Sequence, residues 1–174
     1  LIIGAHTANP GGRSNAGQSY LVYGQPGNAP LSGSLNLADL GGAIAGATFN
    51  WIGEDDSIQM SGISHMVSSA GDVNGDGLDD LLIGSPYVSP GSWERGQSYL
   101  IYGQPSENPL SGSLDVVDVG ITVAGATFHG SVEGDWSGWS VSTAGDVNGD
   151  GLDDLLIGAT GADAGGLHRG QSYL

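Results

Sequence analysis

The sequence predicts an all-β protein assembled from repeats of a four-stranded antiparallel unit, and three observations carry that reading. The stretch "AGDVNGDGLDDLLIG" occupies residues 70–84 and returns without a change at 144–158, a spacing of 144 − 70 = 74 residues. The segments around it repeat in phase: "GQSYLVYGQP" from Gly17 returns as "GQSYLIYGQP" from Gly96, "PLSGSL" from Pro30 returns at Pro109, and "IAGATF" from Ile44 returns as "VAGATF" from Val123. Glycine is abundant, at 33 residues, without a triplet period, and it separates many short apolar runs, as in a chain rich in tight turns.

Each strand of the unit has its own signal. The first is expected near 141–144, leading into the aspartate-rich segment. The second, near 154–157, is a short apolar run bounded closely by turns. The third, 97–103, reads "QSYLIYG" and is rich in aromatic and β-branched residues. The fourth lies near 122–128. The long connection between the third and fourth predicts only a short helical turn around 114–119. Four short strands in a period of 74 to 79 residues are the pattern of a β-propeller blade, whereas a β-solenoid has much shorter coils. The expected organisation is a partial blade (strands two to four) with a connecting loop over 1–64, a complete blade over 65–138, and a second partial blade over 139–174. A closed ring takes four to eight blades. The chain is therefore expected to be an incomplete propeller or a window of a tandem repeat array, its edges met by neighbouring repeats or by self-association.

Composition narrows the function. The net charge is −16, with three arginines and no lysine, so nucleic acid and anionic membrane surfaces are excluded as partners and cations are attracted. Cysteine is absent, which removes disulfides and thiolate metal sites. No apolar run is long enough for a membrane-spanning helix.

The repeated aspartates carry the most specific chemistry. Counting from Asp72, side-chain oxygens fall at positions one, three, five and nine (Asp72, Asn74, Asp76, Asp80), and Leu78 at position seven offers its carbonyl. The second copy provides Asp146, Asn148, Asp150, Leu152 and Asp154. Gly75 and Gly77 allow the curl that brings such groups together. An all-oxygen set of this size suits Ca²⁺, so two calcium sites are expected. The opening matches an EF-hand loop, but position twelve is Ile83 or Ile157, inside the following strand, so the loop is shorter and closed at position nine. The competing reading is a solvated Asx-rich turn, which leaves the mutual repulsion of four carboxylates unanswered. Asp79 and Asp153, at position eight, are secondary candidates as ligands, the alternative being that they only add field or bond to backbone.

With these residues in view, "GWSVSTAGDVNGDGLDDLLIGA" at 138–159 resembles the FG-GAP repeat of integrin α-subunit propellers and their bacterial relatives. The resemblance implies a calcium loop between the two innermost strands of a blade, held by the residues named above. Ser137-Gly138 and Ser61-Gly62 stand where the family has Phe-Gly, and Gly84-Ser85-Pro86, Gly158-Ala159-Thr160 and Gly4-Ala5-His6 stand at the "GAP" piece.

Segments after "LLIG" and after "GATF" vary between repeats, and the resemblance places both on the face opposite the calcium loops. Trp51, Trp93 and Trp136 lie there, with Arg95 and Arg169 at one repeat position and Arg13 nearby. They are candidates to meet a protein or glycan ligand, against the plainer roles of packing over blade edges and pairing with local carboxylates. Trp139, leading into a strand, is expected in the core. No nucleophile elbow, P-loop or zincin motif occurs. The expected function is a non-enzymatic, calcium-binding extracellular repeat protein used in adhesion or surface structure. A propeller module of a larger hydrolase and a lectin-like carbohydrate binder are the alternatives.

Overall fold

The structure is a computed structural model that describes residues 1–174 apart from 13–14, 28, 52–65, 89–93 and 164–168. Among the described residues the regular elements are β-strands and three single-turn 3₁₀ segments, and the strands make three open sheets rather than a closed barrel.

The middle sheet is the complete unit. It comprises β4 (Met66–Gly71), β5 (Asp80–Ser85), β6 (Gln97–Ile101) and β8 (Gly125–His129), in that order and antiparallel throughout. The first sheet contains β1 (Ile2–Ala5), β2 (Gln18–Val22) and β3 (Gly46–Asn50), the third β9 (Ser137–Gly145), β10 (Asp154–Ala159) and β11 (Gln171–Tyr173). Each predicted strand has its counterpart, and the predicted helical turn is the 3₁₀ segment Val116–Asp118.

The connection also forms a strand that the sequence did not announce. β7 (Gly112–Asp115) leaves its own unit and pairs parallel with β3, from Ala47↔Gly112 to Asn50↔Asp115. Asn50 Nδ2 donates to Ser113 Oγ at 2.6 Å, and the Tyr23 hydroxyl donates to the Leu110 carbonyl at 3.1 Å, so side chains of the first sheet fasten the connector of the second. The segment is too short and too rich in Gly and Ser to show a strand period, and only the open edge of β3 makes it one.

Two apolar clusters join the sheets. One gathers Leu21, Ala47 and Phe49 of the first sheet, Ile83, Tyr99 and Ile101 of the second, and Val116, Val119 and Val123 of the connector. The other gathers Ala70, Leu82 and Leu100 of the second sheet with Val141 and Ile157 of the third. Side chains alternate along a strand, so Ile83 faces the first cluster and Leu82 the second. A strand covered on both faces needs a continuous apolar run, which is why β5 reads "DLLIGS".

Trp139 departs from its expected place. It is 39% exposed, because a bulge in β9 shifts the pairing from Ser140↔Gly158 to Ser137↔Ala159 and leaves Gly138 and Trp139 out of the ladder. Its ring instead meets Tyr87 edge-on, with centroids 5.9 Å apart.

Candidate metal centre

Each aspartate-rich loop spans the turn between the first two strands of its sheet, 72–79 between β4 and β5 and 146–153 between β9 and β10. The loop is organised by its own side chains. Asp72 Oδ1 accepts the N–H groups of Gly75 and Asp76 at 2.7 and 3.1 Å, and Oδ2 accepts that of Gly77 at 2.8 Å. Asn74 Oδ1 accepts from Asp76 N–H at 2.9 Å, and Asp76 Oδ1 accepts from Leu78 N–H at 2.9 Å. Gly75 and Gly77 take φ of 78° and 85°, the left-handed region the curl requires. A carboxylate that accepts several backbone N–H groups gains charge-assisted bonds and holds the turn's shape.

Asp80 closes the loop. Its Oδ2 accepts from Val73 N–H at 3.0 Å and its Oδ1 from Gly103 N–H, just past β6, at 2.8 Å. The residue is fully buried. Burial pushes its carboxyl above the ordinary value, the two backbone bonds oppose the rise, and the charges of Asp76 and Asp72 add to it.

The second loop repeats the scheme. Asp146 accepts from Gly149, Asp150 and Gly151 at 2.7, 3.0 and 2.9 Å, Asn148 Oδ1 from Asp150 at 2.9 Å, Asp150 Oδ1 from Leu152 at 2.9 Å, and Asp154 Oδ2 from Val147 at 2.9 Å. Here Asp154 is only half-buried, and its Oδ1 meets Asn148 Nδ2 at 3.4 Å rather than a neighbouring strand.

The structure thus brings Asp72, Asn74, Asp76 and Asp80 into one turn, each accepting from its backbone N–H groups, and likewise Asp146, Asn148, Asp150 and Asp154. Among the described residues, no three acidic or histidine side chains form a group already gathered to hold a metal ion. The loops are hydrogen-bonded anionic turns whose ligand atoms are all hard oxygens; Asp72 Oδ1 and Asp146 Oδ1 each accept two N–H groups, and the other carboxylate oxygens of these loops retain a further lone pair. That donor chemistry fits Ca²⁺ and not a soft metal. The Gly103 contact went unforeseen, because nothing in the letters links residue 103 to residue 80.

Among the described residues the candidate partner residues fall in different places, except that the segments of Trp136 and Arg95 are joined, with the Trp136 N–H donating to the Glu94 carbonyl at 3.3 Å and the Ser137 N–H to the Arg95 carbonyl at 3.0 Å. Trp51 packs on the first cluster, its ring 6.4 Å from Tyr99. Trp136 forms a three-ring cluster with Tyr87 and Trp139, at 6.5 and 6.1 Å, and its Nε1 donates to Glu94 Oε2 at 2.8 Å. Glu94 and Trp136 both hold positive φ, 43° and 53°, where side chains are strained. Arg95 and Arg169 are exposed. Trp93 and Arg13 lie outside the described residues.

Comparison with known proteins follows the same lines. Residues 67–101 and 137–174 match the family described as FG-GAP repeat. Phosphatidylinositol-glycan-specific phospholipase D of Rattus norvegicus is 29% identical over 171 residues, 98% of this chain and 18% of that protein. Integrin alpha-PS2 of Drosophila melanogaster is 38% identical over 94 residues, 51% of this chain and 6% of that protein. Integrin alpha-5 of Xenopus laevis is 30% identical over 108 residues, 62% of this chain and 9% of that protein. The chain therefore spans less than a fifth of the length of these relatives.

Proposed function

The chain belongs to the FG-GAP repeat, integrin-like propeller family, and on that premise we propose that it is a non-catalytic, calcium-braced propeller module of a larger extracellular protein, acting in adhesion or surface structure. One observation carries the calcium: the same oxygen-rich loop is built twice, each time between the first two strands of a sheet and around the same backbone donors. Asp72, Asn74, Asp76, Asp80 and the Leu78 carbonyl would hold one ion, and Asp146, Asn148, Asp150, Asp154 and the Leu152 carbonyl the other. Calcium supplies the positive charge that offsets carboxylate repulsion in each loop. Extracellular modules of this kind bind at roughly 10⁻⁴ to 10⁻³ M, a range that calcium reaches outside cells.

Calorimetric titration tests the reading. The chain is expected to bind two calcium ions, changing its formal charge from −16 to −16 + 4 = −12. Asp76→Ala and Asp150→Ala are each expected to lose one ion, and EGTA to lower the melting temperature. At calcium 100-fold above Kd, each site adds about 2.7 kcal/mol. A melt unmoved by EGTA at low ionic strength would sink the proposal.

A second reading places the module beside a catalytic domain. It is favoured by the extent of the phospholipase D match, which runs over 98% of this chain where the integrin matches cover 51% and 62%. A hydrolase domain in the parent polypeptide, with the isolated repeats inert, is the outcome expected of it.

A further inference from the structure

The two loops touch each other, and one residue makes the contact. Asp153, at position eight of the second loop, accepts from the Asp72 N–H through Oδ2 at 2.9 Å. Its own N–H donates to the Asp72 carbonyl at 3.0 Å. Both main-chain polar groups of Asp72 are therefore held from the neighbouring repeat, while the Asp72 carboxylate is the hub of its own loop. The approach is close enough to require glycine on the other side. A Cβ on Gly71, at φ +73°, would lie 2.1 Å from Asp153 Oδ2 and 2.7 Å from its Cβ, and one on Gly75 would lie 3.0 Å from Leu152 Cδ2. In the second loop, Gly145 and Gly149 would meet nothing within 4 Å.

We propose that Asp153 is a positioning residue acting across the boundary between repeats: it fixes the backbone of Asp72 and thereby sets the calcium affinity of the loop 72–80, not that of its own loop. The proposal rests on the calcium reading above. It divides the adjacent aspartates between two roles. Position nine closes its own loop, as Asp80 does through Val73, and position eight serves the loop of the preceding repeat. Asp79, the same residue at the same position, instead lines a cavity of about 430 Å³ with Leu1, Ile2 and Leu21. It is the internal control for any effect that position eight has within its own loop.

The test isolates one loop at a time by calcium titration, with circular dichroism in EGTA to check folding. In an Asp150→Ala background only the loop 72–80 binds. Adding Asp153→Ala is expected to weaken that site about tenfold, the loss of one bond to an ionised acceptor. Adding Asp153→Asn is expected to restore it, because the Asn Oδ1 accepts the same N–H without the charge. In the same background Asp79→Ala is expected to leave the loop 72–80 unchanged; in an Asp76→Ala background only the loop 146–154 binds, and Asp153→Ala is expected to leave it unchanged. If Asp153→Ala does not fold, Gly71→Ala decides, since its Cβ collides with the Asp153 carboxylate while every residue of the second loop is kept. Gly71→Ala should weaken the loop 72–80 more than Gly145→Ala weakens the loop 146–154. Equal affinities for Asp150→Ala with and without Asp153→Ala would overturn the proposal. So would an Asp153→Asn variant as weak as Asp153→Ala, which would point to the field of the charge. Absence of calcium binding in the Asp150→Ala parent would instead remove the calcium reading itself.

Discussion

Residues 70–84 and 144–158 share every letter and not their surroundings. Inside the loops the geometry is the same: the hub aspartate accepts at 2.7, 3.1 and 2.8 Å in one copy and at 2.7, 3.0 and 2.9 Å in the other. Outside them it diverges. In the first copy Ala70, Asp80 and Leu82 are all at 0% exposure, whereas in the second Leu156, the counterpart of Leu82, is 40% exposed and Asp154 is half-buried. The first copy has a sheet on each face, and the third sheet is covered by described residues on one face alone. Local shape is thus a property of the fifteen letters, and the energetic worth of each letter is a property of its neighbours.

Paired substitutions sharpen or break this comparison, and the apolar pair should show the largest difference. Leu82→Ala empties a fully buried position and is expected to cost about 3 kcal/mol, against about 1 kcal/mol for Leu156→Ala. Urea denaturation of the two variants measures the gap, and equal midpoints would mean that the third sheet is covered in solution as the second is. The closing aspartates come next. In EGTA, Asp80→Ala leaves the N–H groups of Val73 and Gly103 without their buried acceptor and is expected to cost about 2 kcal/mol. Asp154→Ala, whose bonds are those within its own loop, is expected to cost about 1 kcal/mol. The glycine pair is the finest probe. Gly71→Ala and Gly145→Ala both place a side chain at positive φ, at a shared cost of roughly 1 kcal/mol, and Gly71→Ala alone also collides with Asp153. An extra loss of about 1 kcal/mol for Gly71→Ala is expected from that overpacking. Its absence would mean that Asp153 moves aside freely.

Read alone, the sequence determined what depends on short range. The period and the alternation of apolar runs defined the four strands of a unit, and the carboxylate spacing with glycines at positions four and six defined two identical oxygen-rich turns. Those features were legible because an Asx turn is built from bonds between residues two to five apart. Tertiary structure alone decided the rest. It turned 112–115 into a parallel strand on a neighbouring sheet, lifted Trp139 out of the ladder through a bulge, buried Asp80 under Gly103 and laid Asp153 against Asp72. The last two contacts join residues 23 and 81 positions apart, Gly103 to Asp80 and Asp72 to Asp153. They depend on which sheets stack and in what register, and a repeat that spells both loops alike carries no mark of which one will be covered.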